Sequence, residues 1–328
     1  MKLTMVASPP TPTRLALLRQ IGVEHAVHYD MHGLPDDRDG LLEIKRRYEN
    51  AGLAWKICEA GPKVDRIVLG LEGWREQVDL WNRTLALLGD MGVEVIAYNF
   101  MPQLDNDAMV IRTSVDERTR GGALTSRFRA ADLRPDAFAG SPRPIAAEVM
   151  WSHLERFLEA VLPTAEKAGI RLAMHPDDPP YGPICGYQRI MGSPEDFERL
   201  FALSSSPSNA MTLCLGCFAE RGCDIPELVS RFAPRIAFIH VRNVQGKLDD
   251  FIETFPDDGK IDVAAVFREL RRVGYDGYVR SDHAPLLATD EAATYDGYAM
   301  QGHIFAIGYL RGLLDSLDRG DRGLDSVR

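Results

Sequence analysis

The chain has 328 residues, 45% hydrophobic and 26% charged, which excludes a disordered, collagen-like or coiled-coil polymer as a description of the whole. Its 38 basic and 48 acidic residues leave a net charge of −10, which argues against non-specific binding to nucleic acid or anionic membrane. No apolar run reaches the roughly 18 residues of a membrane-spanning helix, and the apolar stretch after Met1 is too short for a secretory leader.

Short apolar runs alternate with longer helical patterns. Leu3 to Ala7 predicts a first strand and Thr11 to Gln20 the helix after it. Glu24 to Tyr29 predicts a second strand, and Leu42 to Asn50 closes a second helix. Leu53 to Glu59 is a third strand, Leu71 to Met91 an amphipathic helix, and Val93 to Phe100 a fourth strand. The polar, glycine-containing stretch from Pro102 to Pro144 then interrupts the rhythm. It resumes with a helix over Ile145 to Ala168 and a fifth strand over Ile170 to Met174. Ser193-Pro194-Glu195-Asp196 reads as a helix cap, with proline at the first helical position and acids in the first turn. Strand six is Met211 to Leu215, followed by a helix over Ile225 to Phe232 and strand seven over Ile236 to Ile239. A helix over Asp262 to Val273, an eighth strand at Tyr278 to Arg280 and a closing helix over Tyr298 to Leu317 complete the series.

Eight strand–helix units predict the α/β class and a (β/α)8 TIM barrel of one domain over residues 1–328. A doubly wound sheet would call for a glycine-rich phosphate loop, and neither G-x-G-x-x-G nor G-x-x-x-x-G-K-S/T occurs. The stretch over about 102–144 is then one long βα loop. It holds Arg112, Arg118, Arg120 and Gly121-Gly122, which suits a lid facing an anion.

Cys58, Cys185, Cys214, Cys217 and Cys223 are odd in number and sparse, so a disulfide scaffold is not expected and a reducing cytoplasm is. Cys214 and Cys217 form a C-x-x-C, with no second pair and no clear helix after it.

Polar residues gather where the later strands end. Strand five runs into His175-Pro176-Asp177-Asp178, strand six into Cys214, strand seven into His240 and Arg242, and strand eight into Arg280-Ser281-Asp282-His283. In a barrel these ends converge on the C-terminal face, where barrel active sites lie. Two histidines, a cysteine and an aspartate on four consecutive strands therefore predict a metal site. Imidazole, thiolate and carboxylate suit Mn, Fe, Co or Zn better than Mg or Ca. Cys and Asp together about balance a divalent ion, so an acidic substrate needs arginines, and Arg242 and Arg280 are nearest in sequence.

The chain resembles the mannonate dehydratase family, whose fold is a xylose-isomerase-like TIM barrel. The matching stretches are Gly52-Leu53-Ala54-Trp55, Tyr98-Asn99-Phe100-Met101-Pro102, Met174-His175-Pro176-Asp177-Asp178-Pro179-Pro180, Cys214-Leu215-Gly216, Phe238-Ile239-His240-Val241-Arg242 and Arg280-Ser281-Asp282-His283. The resemblance runs from about Ile21 to the C-terminus and is most specific at His175 and at Asp282-His283. It implies metal ligands at His175, Cys214, His240 and Asp282, and a catalytic pair at His283 and Tyr298, with base and acid left open between them. The implied reaction is dehydration of D-mannonate to 2-dehydro-3-deoxy-D-gluconate with a divalent metal, typically manganese. Tyr298 would need a depressed pKa for this work. Glu59, Asn99 and His32 are expected near the sugar hydroxyls, and Asp177 or Asp178 beside the ring of His175.

The chain also departs from the family pattern. It is shorter than many members, which carry a helical insertion before the fifth strand. The family's Trp-Thr-Arg stretch after Pro102 is absent, Asn106 and Asp107 stand in that region, and Arg112 is the expected substitute. A different aldonate, or an isomerase or epimerase reaction on the same barrel, is the alternative; the thiolate at Cys214 weighs against isomerases that bind metal through carboxylates. The partner expected is a small sugar acid, and a homodimer is the assembly expected.

Overall fold

The computed structural model describes residues 1–29, 33–59, 61–101, 111–134, 142–290 and 297–325. In chain order its elements are β1 (Lys2–Val6), α1 (Pro12–Gln20), β2 (His25–Tyr29), α2 (Arg38–Asn50), β3 (Ala54–Glu59), α3 (Asp65–Leu69), α4 (Trp74–Asp90) and β4 (Val95–Tyr98). Then come β5 (Ser114–Arg118), β6 (Leu124–Arg129), α5 (Ala147–Ala168), β7 (Arg171–Met174), α6 (Pro194–Leu203), β8 (Asn209–Cys214), α7 (Leu215–Glu220), α8 (Ile225–Phe232) and β9 (Ile236–Val241). The last are β10 (Asn243–Lys247), β11 (Asp250–Thr254), α9 (Val263–Arg272), β12 (Tyr278–Ser281) and α10 (Met300–Asp325).

The eight apolar runs form one closed parallel barrel in the order β1, β2, β3, β4, β7, β8, β9, β12, with β12 pairing back to β1. They read as unbroken apolar stretches because a parallel barrel strand is covered on both faces. Inside the barrel lie Val27, Ile57, Val95, Ala173, Ala210 and Phe238. Outside it, Leu15, Trp81, Phe157, Leu228 and Phe267 pack between the strands and the helices. Burial of each such side chain contributes about 1.5–3 kcal/mol. The cap at Ser193 is a full capping box: its Oγ accepts from Asp196 N, and the Asp196 carboxylate accepts from Ser193 N at 2.8 Å.

Three features differ from the sequence reading. Helix α4 starts at Trp74 rather than Leu71, with the short α3 before it. Helix α7 begins directly after Cys214 and carries Cys217, so the C-x-x-C does open a helix. The stretch between β4 and α5 contains β5 and β6, which join β10 and β11 in a second, antiparallel sheet ordered β10-β11-β6-β5. Its contacts are long-range: β6 pairs with β11, and Leu124 bridges to Leu286 just past β12. Among the described residues no helix is long and apolar enough to cross a membrane.

Candidate metal centre and active site

Strand register brings the site together. Cys214 is level with His240 across β8 and β9, and His240 with Arg280 across β9 and β12. His175 follows the end of β7, and Asp282 follows β12. One donor atom from each of His175, Cys214, His240 and Asp282 lies within 4.8 Å of the others. Cys214 Sγ is 3.7 Å from Asp282 Oδ2, and His240 Nδ1 is 3.6 Å from Asp282 Oδ1.

These residues fit a divalent metal. His240 Nδ1 is buried and makes no hydrogen bond, while its Nε2 lies 2.9 Å from Glu59 Oε1 and 3.1 Å from Arg280 Nε. A histidine that gives one N–H to a carboxylate and leaves the other nitrogen bare is the usual form of a metal ligand. The His175 ring is held by its Nδ1, which donates to Pro176 O at 2.7 Å, leaving Nε2 toward the cluster. Burial would raise the Cys214 thiol, but the hydrogen bond from Cys217 and the charge of Arg242 hold it well below its usual pKa. The site thus favours a thiolate. Burial would lower His175, but the Cys214 sulfur outweighs it and lifts its pKa to about 9. Asp282 would likewise be raised by burial, yet His283 and Arg280 keep it well below the carboxylate range.

Facing the cluster is a cavity lined by Tyr29, Glu59, Asn99, Arg280, His283 and Tyr298 together with His175, His240 and Asp282. The Tyr298 ring stacks on Tyr29 with centroids 4.9 Å apart and stands edge-on to His283 at 5.5 Å. Its hydroxyl accepts from Arg280 Nη2 at 3.0 Å. Burial pushes the Tyr298 phenol well above its usual pKa, and the opposing Arg280 charge does not reverse it. Among the chain's own groups, burial thus works against the depressed phenol expected from sequence, while the charge of Arg280 works toward it. Gly297, at φ +80°, lets the chain pass close to His283, since a Cβ there would lie 2.9 Å from the Cβ of His283.

The arginines divide. Arg280 lines the cavity, held by Glu59 Oε1 at 2.7 Å and Asp282 Oδ1 at 2.8 Å. Arg242 and Arg112, expected on the substrate, lie elsewhere: neither is among the residues lining this cavity. The Arg242 side chain is fully buried, paired with Asp178 at 2.6 Å and Glu220 at 2.7 Å. Arg112 pairs with Asp178 at 2.8 Å and Glu253 at 2.6 Å. Both guanidiniums are engaged by buried carboxylates, the partners a buried arginine needs. Gly216 makes room for Arg242, because a Cβ there would run into the guanidinium.

Of the weaker expectations, Asn99 lines the cavity, with its Oδ1 accepting from Met101 N at 3.3 Å. Glu59 also lines it but is engaged by His240 and Arg280. Asp177 accepts from Met191 N at 2.7 Å and Asp178 pairs with the two arginines, so the His175 ring is set by Pro176 instead. His32 lies outside the described residues, as do Asn106 and Asp107. The sequence reading missed Tyr29, Glu220 and Glu253. Neither glutamate had a distinguishing signal in sequence, since Arg221 and Asp224 follow Glu220 and Asp249-Asp250 and Asp257-Asp258 flank Glu253.

A parallel eight-stranded barrel with two histidines, a cysteine and an aspartate clustered at its C-terminal mouth has the layout of a TIM-barrel enzyme. Residues 1–137 and 136–323 match the D-mannonate dehydratase (UxuA) family. The chain belongs to this family, and so to the hydro-lyases. It is 32% identical to mannonate dehydratase 1 of Bacillus licheniformis over 93% of this chain and 92% of that protein. The crystal structure of mannonate dehydratase from Streptococcus suis serotype 2 superposes with a TM-score of 0.88 at 30% identity, covering 98% of this chain and 94% of that one. A 3-keto-D-glucoside 4-epimerase from E. coli, at 13% identity and a TM-score of 0.63 over 95% of this chain and 99% of that one, shares the fold alone.

Proposed function

We propose that the protein dehydrates D-mannonate to 2-dehydro-3-deoxy-D-gluconate at the cavity where His283 and Tyr298 face the His175–Cys214–His240–Asp282 cluster. That juxtaposition is the observation that carries the reading. The four cluster residues would hold Mn2+, with Fe2+, Co2+ or Zn2+ compatible with the same donors. When bound, a divalent ion supplies Lewis-acid stabilisation of the charge that develops on the C1 carboxylate.

The chain's own groups do the rest. Tyr298 accepts a hydrogen bond from Arg280 and keeps its phenolic proton, which makes it the acid for the departing C3 hydroxyl. His283 is then the base for the C2 proton. The electron pair left at C2 forms the C2=C3 bond as water leaves, and the enol settles to the 2-keto acid. Asn99 and Arg280, both on the cavity, orient the hydroxyls and the carboxylate end. One barrel domain, a cytoplasmic location, a homodimer and a role in hexuronate catabolism complete the proposal.

The experiment is turnover of D-mannonate by reduced protein with added Mn2+, followed by the appearance of the 2-keto-3-deoxy acid beside a panel of other aldonates and ketoses. Turnover of roughly 1 per second or more, lost with EDTA, is expected. Metal binding at one per chain without mannonate turnover would reject the substrate.

A further inference from the structure

The second sheet reaches into the site through one residue. Glu253 lies on β11, which belongs to the antiparallel sheet rather than to the barrel, and it is 3% exposed. Its Oε1 is 2.8 Å from His283 Nδ1. The same oxygen accepts from Arg112 Nε at 3.1 Å and Nη2 at 2.6 Å, and Arg242 Nη1 stands 3.3 Å away. The register of β11 against β6, with Phe251 opposite Phe128, fixes where the Glu253 side chain emerges. The Phe128 and Phe251 rings pack with centroids 5.7 Å apart, and the Arg112 guanidinium lies over Phe251.

We propose that Glu253 is a positioning residue for His283: it accepts the Nδ1 proton, fixes the tautomer and ring orientation, and so leaves Nε2 as the base toward the cavity. Arg112 is the clamp that holds this carboxylate in place, so the stretch between β4 and β5 secures a catalytic side chain from behind. The physical argument is that of any oriented histidine base. A carboxylate on one ring nitrogen selects which nitrogen carries the proton and stabilises the imidazolium formed when the other takes one up. An arginine counter-charge keeps that carboxylate ionised in a buried setting.

The proposal rests on the dehydratase reading for its kinetic test and stands apart from it for its spectroscopic one. In the metal-loaded enzyme, Glu253→Ala is expected to lower kcat roughly 100-fold, with KM changed less than about threefold and metal stoichiometry unchanged. With substrate deuterated at C2, the isotope effect on kcat should rise, because proton removal becomes rate-limiting; a purely structural role would not move it. Glu253→Gln preserves shape and the acceptor oxygen, so it should fold if the alanine variant does not, and should fall between the two in kcat. Wild-type kcat in a folded, metal-loaded Gln or Ala variant would overturn the proposal. Nitrogen-15 spectra of histidine-labelled wild-type protein should show His283 protonated at Nδ1, and an unprotonated Nδ1 would overturn it whatever the substrate. Absence of mannonate turnover by the wild type would reject the dehydratase reading and leave this last test standing.

Discussion

Glu59 Oε1 lies 2.9 Å from Nε2 of His240, on the side of the ring opposite the bare Nδ1 that faces Asp282. The two residues come from β3 and β9, which do not neighbour each other in the barrel, so the contact crosses its interior. The relationship places Glu59 to aim His240 in the proposed metal site, where the sequence had suggested a contact with substrate hydroxyls. Glu59→Gln is therefore expected to weaken divalent-metal affinity roughly 10- to 100-fold, read by calorimetric titration of the metal-stripped protein. A raised KM at unchanged metal affinity would return Glu59 to the substrate.

His175→Ala removes one nitrogen donor from the cluster, together with the partner of the Cys214 sulfur. It should abolish stoichiometric Mn2+ binding and metal-dependent turnover while circular dichroism still shows the folded barrel. Full metal retention in this variant would remove His175 from the ligand set.

Arg242→Met tests whether Arg242 is structural. The guanidinium is balanced chiefly by Asp178, whose carboxyl burial would raise but Arg112 and Arg242 hold well below its usual pKa. Burial instead keeps the Glu220 carboxyl well above its own usual range. Removing one member of such a buried pair costs about 3 kcal/mol, so urea unfolding should show a loss of this size. A stable variant with a raised KM would make Arg242 a substrate residue after all.

Stability should also fall with acid through His303. This buried imidazole donates from Nε2 to Gly297 O at 2.9 Å and accepts at Nδ1 from Ser281 Oγ at 2.6 Å. Burial, and then the charge of Arg280, lower its pKa from 6.5 to about 4. Between these two values the unfolded chain binds the proton and the folded chain does not, so stability is full above about pH 6.5 and is lost as pH falls toward 4. The loss from this group is on the order of 3 kcal/mol. His303→Gln should flatten the stability curve over that window by a comparable amount, measured as the difference between the two proteins' urea midpoints at each pH.

The barrel was legible in the sequence because both of its periodicities are local. Each apolar run sits within two residues of its strand, and the cap at Ser193 announces α6 from four residues. The cluster was legible for the same reason, since His175, Cys214, His240 and Asp282 each stand at or beside the end of a strand. The second sheet was not. The β5 segment Ser114–Arg118 and the β6 segment Leu124–Arg129 are rich in charge, and the hairpin they form joins the larger sheet by pairing β6 with β11 more than a hundred residues away. The carboxylate partners of Arg112 and Arg242 were hidden for a related reason: an arginine near a site looks the same in sequence whether it faces an anion or a buried carboxylate.

By itself, then, the amino-acid sequence determined the barrel, its eight strands and the four side chains that gather at its mouth, because hydrophobic period and strand-end position are properties of neighbouring residues. Tertiary structure alone decided which groups those side chains lean on: Glu59 behind His240, Arg280 on Tyr298, and Glu253 behind His283. Such pairings depend on register and on sheet packing across long stretches of chain, and hydrogen-bond geometry acts over about 3 Å, a scale that sequence spacing does not carry.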